Sequence, residues 1–146
     1  MRVLKADATD AEIVDAIWEW LELLAQGRYQ DACEWFADDA RFTWKARDLE
    51  RRIVRFFGGL RSRRPLPPPA ELRARVEIHR YSEAEADYFT SRNVLPTVPV
   101  AQVGFFIPVR GNRRGCWGIW TTCALRPGTT GRTKNGLVFD FEVFHL

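Results

Sequence analysis

The 146-residue chain is 46% apolar and 28% charged, with ten Phe, six Trp and three Tyr. That length suits one domain spanning 1–146, and the balance excludes a disordered or collagen-like polymer. A net charge of +3 conceals an asymmetry, because residues 1–40 carry 3 basic and 10 acidic groups while residues 41–80 carry 12 and 4.

Thr9-Asp10-Ala11-Glu12 is a capping box, with Thr9 at the N-cap and Glu12 three residues on. Ile13, Ile17, Trp20, Leu21 and Leu24 then fall on one helical face, and Asp15, Glu19 and Glu22 form an acidic stripe on another. Gly27 stands where a helix end needs a left-handed residue. A second helix is expected from Tyr29 to about Phe36, broken by Asp38-Asp39, and Arg41-Phe42-Thr43-Trp44 reads as a short strand or extended link. A third helix begins near Asp48, with Leu49, Ile53, Phe56 and Leu60 on one side, and ends at Gly58-Gly59. Pro67-Pro68-Pro69 favours a stiff polyproline II link.

After the link the period becomes two. Alternation over 72–79 predicts a half-buried strand, and 87–92 a weaker one. Longer strands are expected over 98–110, 116–126 and 137–144, joined by a loop at 111–115 and a polar loop at 127–136. Such short connections imply an antiparallel meander. Helices followed by an antiparallel sheet give an α+β fold, in which the helices cover one face.

Cys33, Cys116 and Cys123 are odd in number and lack C-x-x-C spacing, which fits reduced thiols. With no apolar signal region and no membrane-length apolar run, a cytoplasmic chain is expected. Two His and scattered Cys argue against a metal site, and no motif calls for a cofactor.

The opening Leu23-Leu24-Ala25-Gln26-Gly27-Arg28-Tyr29, followed by Ala32, Phe36 and Asp38-Asp39, resembles the nuclear transport factor 2-like superfamily. The proline-rich link at Pro65 to Pro69 and the closing strand Asp140-Phe141-Glu142-Val143-Phe144-His145-Leu146 are similar to a bacterial branch of it. The resemblance implies a cone in which N-terminal helices pack in the concavity of a bent antiparallel sheet. It decides little about function, since enzymes, binders and adaptors share that fold.

Acid–base enzymes of this fold use Asp, His or Tyr inside the cone. The candidates here are His79, Asp140 and His145. Asp140 and His79 are out of phase with their apolar neighbours and would meet only if a β-bulge shifted the strand, whereas His145 shares parity with Phe141 and Val143. Trp18 and Trp20 lie about 200° apart on a helix, and Trp117 and Trp120 differ in strand parity, so some indoles belong to a pocket mouth or interface. Trp18, Tyr29, Trp44, Trp117, Trp120 and His145 are the candidate ligand-binding residues.

The first expectation is a non-catalytic domain that binds a small apolar ligand or a protein partner, with a homodimer through the sheet. The alternative is a small-molecule acid–base enzyme. A third is a nucleic-acid binder using the basic segment 51–64, with Arg51, Arg52, Arg55, Arg61, Arg63 and Arg64. This third expectation is disfavoured because aromatic residues do not interleave with that cluster, and because neighbouring acidic and basic helices would cancel each other's charge.

Overall fold

The computed structural model describes residues 1–40, 44–56, 65–92, 96–108 and 118–145, with the side chains at 54, 56, 89–92 and 141–145 outside that description. The elements in chain order are β1 (Val3–Lys5), α1 (Asp10–Ala25), α2 (Tyr29–Glu34), α3 (Ala46–Phe56), a 3-10 helix (Ala70–Arg75), β2 (Glu77–Arg80), α4 (Glu83–Arg92), β3 (Ala101–Pro108), β4 (Gly118–Pro127) and β5 (Gly136–His145). The result is an α+β fold on a five-stranded antiparallel sheet of order β1-β5-β4-β3-β2.

The capping box closes α1 as its sequence demands. Thr9 N donates to Glu12 Oε2 at 2.7 Å, and Glu12 N donates to Thr9 Oγ1 at 3.3 Å. Gly27, at φ +70°, ends the helix in the left-handed region. Ile13, Ile17, Trp20 and Leu24 of α1 are fully buried and pack with Val103, Phe105, Leu125 and Phe139 from one face of the sheet. Trp20 meets Phe105 edge-on at 5.8 Å and Phe36 at 5.6 Å, while Trp35 stacks on Phe139 at 4.4 Å. The Trp20 indole N–H donates to the Ala32 carbonyl at 3.0 Å, so this buried donor is satisfied by α2.

Two expectations from the sequence are corrected, and one strand that it did not suggest is added. The strand expected over 72–79 is a 3-10 turn followed by only four strand residues. Pro69 starts the turn by accepting from Leu72 N at 3.0 Å, and of the alternating set only Leu72 is fully buried. The strand expected over 87–92 is part of α4. A second capping box decides it, with Glu85 N donating to Ser82 Oγ at 3.3 Å and Ser82 N to Glu85 Oε1 at 3.2 Å. The segment before α1 is β1, which pairs with β5 through Val3–Val138, Leu4–Leu137 and Lys5–Gly136.

The expected link at 41–44 and the helix end at 58–59 fall largely outside the described residues, as do the loop 111–115, Trp117 and Cys116. Cys33 is a free thiol, and Cys123 is buried in β4. No helix among the described residues is long and apolar enough to cross a membrane.

Candidate functional site

Strand register decides which candidates can cooperate. His79 pairs with Gln102, Gln102 with Ala124, and Ala124 with Asp140, so the two candidates occupy one cross-strand row. Three strand spacings separate them, about 14 Å. His79 is exposed and bonds Glu85 at 2.7 Å, and its ring meets Tyr81 edge-on at 5.4 Å. The hydrogen bond from His79 and those from Ser82 hold the Glu85 carboxyl below its usual range.

The bulge needed to bring them together does occur, but beyond Asp140. Thr122 pairs with Val143 and Cys123 with Phe141, which leaves Glu142 as an extra residue on β5. A one-residue insertion inverts the phase of everything after it. Val143 and His145 therefore enter the rows of Thr122 and Trp120, while Phe144 takes the row of Thr121. The parity that joined His145 to Phe141 ends at this bulge.

Asp140 is buried at 1% exposure on the face away from the helices, where it belongs to a charge network. Arg126, fully buried in β4, donates Nε to Asp140 Oδ2 at 3.0 Å and Nη2 to Asp39 Oδ1 at 2.7 Å. Nη2 also reaches the Asp39 carbonyl at 3.4 Å, and Nη1 reaches Thr97 Oγ1 at 3.4 Å and the Pro127 carbonyl at 3.3 Å. A guanidinium has five N–H donors, so these five contacts saturate it. Thr129 donates its hydroxyl to the other Asp39 oxygen. Burial raises the Asp39 pKa, but the Arg126 and Thr129 hydrogen bonds and the guanidinium charge outweigh it and hold the carboxyl below its usual value. This arrangement fastens the 35–40 segment, whose Ala37 N donates to Phe139 O at 3.0 Å, onto β4 and β5. It leaves no donor on Arg126 for a substrate.

The candidate aromatic residues divide among three settings. Trp18 and Tyr29 are half-buried against the core, and Trp18 carries the Arg73 guanidinium 5.1 Å from its ring centroid. Trp44, just before α3, carries Arg52 in the same way at 4.3 Å. Trp120 lies on the far face of the sheet, edge-on to Phe106 at 4.8 Å and so close over Gly104 that a Cβ there would run into its ring.

On the helical face the rings pack against one another, yet two buried polar atoms have no hydrogen-bond partner among the described residues. They are the Trp35 indole Nε1 and the Thr121 Oγ1. Thr121 is 0% exposed in the row of Phe105. Neither atom was singled out in the sequence, where Thr121 reads as one of several alternating residues of a strand. Cys33 is no nucleophile at neutral pH, since burial together with Glu34 and Asp48 pushes its thiol up to about 11. No group of three or more His, Cys, Asp or Glu side chains among the described residues is placed to hold a metal ion. Comparison with protein-family models, with curated proteins and with solved structures returns no match for this chain.

Proposed function

We propose that the chain is a nuclear transport factor 2-like domain without catalytic turnover, which binds a small and mainly apolar ligand between its helices and its sheet. The cone is part of this proposal, supported by helices that precede an antiparallel sheet and pack on one of its faces. The observation that carries the ligand reading is the Thr121 hydroxyl, fully buried on the aromatic face and unmatched. An unmade hydrogen bond of this kind costs about 1–3 kcal/mol. A ligand with an apolar body and one hydrogen-bonding group recovers that loss, and Phe105 and Trp20 suit such a body.

The lack of turnover is supported by where the titratable groups lie. Asp140 is engaged with Arg126 on the opposite face, and His79 is exposed and bonded to Glu85. Neither reaches the aromatic interior, where tuned acid–base groups would be needed.

Native mass spectra of the freshly purified protein and of Thr121→Val test this. The expected result is a small retained mass on the wild-type chain that is absent from the folded variant. Equal retention by both removes Thr121 from the site. A bare mass for the wild type overturns the ligand reading, and a dimeric mass in its place directs attention to the Phe106–Trp120 face as a protein contact.

A further inference from the structure

Helix α3 carries Arg47, Arg51 and Arg55 at intervals of four, all three exposed, with Leu49 and Ile53 buried on the opposite side. Residues four apart on a helix stand above one another, here about 6 Å per step. Arg52 lies alongside, held over Trp44.

Most exposed arginines near acidic groups in this chain are matched. On α1, Arg2 pairs with Glu19 at 3.0 Å, Arg80 with Asp10 at 2.7 Å, and Arg73 with Asp15. The four arginines of α3 have no ion pair among the described residues, although Asp48 and Glu50 share their helix. Of all the acidic residues only Glu142 has its side chain outside the description, so segments 41–43, 57–64, 93–95 and 109–117 contain no acid to supply the balance.

The two tryptophans capped by arginine make the point within one molecule. Arg73 over Trp18 keeps Asp15 as its counter-ion. Arg52 over Trp44 has no ion-pair partner among the described residues. A guanidinium held over a ring still has N–H donors to offer, in the fork that suits a phosphate or carboxylate. In Arg52 those donors are available to an anion from outside the chain.

We propose that this face of α3 binds the phosphate backbone of a nucleic acid, with Arg52 positioned by Trp44 and Arg47, Arg51 and Arg55 set along the phosphates of one strand. The proposal is independent of the interior ligand. Arg47 to Arg55 spans about 12 Å of helix. Over that length one strand of a duplex presents three to four phosphates, at about 3.4 Å each. An acidic protein partner fits less well. Protein interfaces have apolar centres depleted of charge, whereas the exposed large apolar residues among the described side chains are Met1, Val3 and Tyr88, none of them on α3. The contacts are to backbone alone, so the binding is indifferent to sequence. Of the two sequence arguments against nucleic acid, the lack of an aromatic beside the basic cluster is met by Trp44, and the cancellation of acidic and basic helices by the absence of any ion pair between α1 and α3 among the described residues.

Fluorescence anisotropy with the full chain and a labelled 20-base-pair DNA duplex, from 50 to 200 mM salt, tests the proposal. Four phosphate contacts predict a log–log slope of about −3.6, a loss of affinity of about 100-fold across that range. A single-stranded RNA probe of the same length is expected to give about −2.8, which separates the two sources of phosphate. The variant R47A/R51A/R55A changes only exposed side chains and is expected to keep its melting curve while the duplex slope falls by about 2.7. No binding at 50 mM salt overturns the proposal. So does wild-type binding by the folded triple variant, and so does polyglutamate competing as well as DNA at equal charge, which assigns the surface to an acidic protein.

Discussion

The two faces of the sheet are buried by different means. Toward the helices, Phe105, Phe139 and Leu125 meet Trp20, Trp35 and Phe36, and the contacts are apolar and non-directional. On the far face Ala124 and Val138 are also fully buried, but between them runs Arg126, whose five donors all find acceptors. Apolar packing accommodates an unmatched Thr121 hydroxyl at modest cost. A buried guanidinium has no such latitude, because desolvating a charge without its partners costs several kcal/mol. The helical face is thus held by non-directional contacts, whereas the far face acts as a fixed clasp.

Removing the guanidinium gives the largest effect and breaks the comparison most directly. Arg126→Met removes the buried guanidinium bonded to Asp140 Oδ2 and Asp39 Oδ1, and a loss of about 3–5 kcal/mol is expected in urea unfolding. Adding Asp140→Leu should restore most of that stability, since an apolar pair of similar volume often matches a buried ion pair. A loss below about 1 kcal/mol for the single variant would mean that water reaches Asp140 and that the far face is not sealed.

A smaller effect is expected where the far face depends on close approach. Gly104 lies under the Trp120 indole, and Gly104→Ala forces that ring away from Phe106. Overpacking of this kind costs about 1–3 kcal/mol. Thermal unfolding measures the loss, and a shifted tryptophan emission would show that the indole has moved. An unchanged melting temperature would mean that Trp120 swings outward freely and contributes little to burial.

How much of this was legible in the sequence follows from how local each signal is. The first helix was, because Thr9, Glu12 and Gly27 act within a turn or so of themselves. The box at Ser82 and Glu85 carried the same signal, but the aromatic residues after Asp87 suggested a strand instead. The α+β class and the meander were legible from period and loop length. The bulge was not: Phe141, Glu142 and Val143 alternate as smoothly as a regular strand, and only pairing with β4 reveals the extra residue. The clasp was not legible either, because Arg126 and Asp39 are 87 positions apart. Asp140 being out of phase with Phe139 suggested an exposed carboxylate, and only the covered far face makes it a buried one.

The finest test asks how much of the clasp is charge and how much is hydrogen bonding. Asp39→Asn keeps an oxygen for the Arg126 Nη2 donor, removes the negative charge and replaces the oxygen that accepts from Thr129 with an amide NH2, so a loss of about 1 kcal/mol is expected at neutral pH. The Asp39 carboxyl is held below its usual value in the folded chain. Its contribution is thus complete above the unfolded pKa of about 3.9 and disappears as pH falls from there through the lower folded value. The carboxylates of Glu12 and Glu85, also held low by hydrogen bonds, are common to both proteins and cancel in the difference. Urea unfolding of the two proteins in parallel from pH 7 to pH 3 should show a constant gap down to about pH 5 and a closing one below about pH 4. A gap that stays level to pH 3 would mean that the loss comes from hydrogen-bond geometry at the Asp39 side chain and not from its charge, since the backbone carbonyl 3.4 Å from Nη2 is common to both proteins. Arg126 would then be held on that side by dipoles, with Asp140 as its one charged partner.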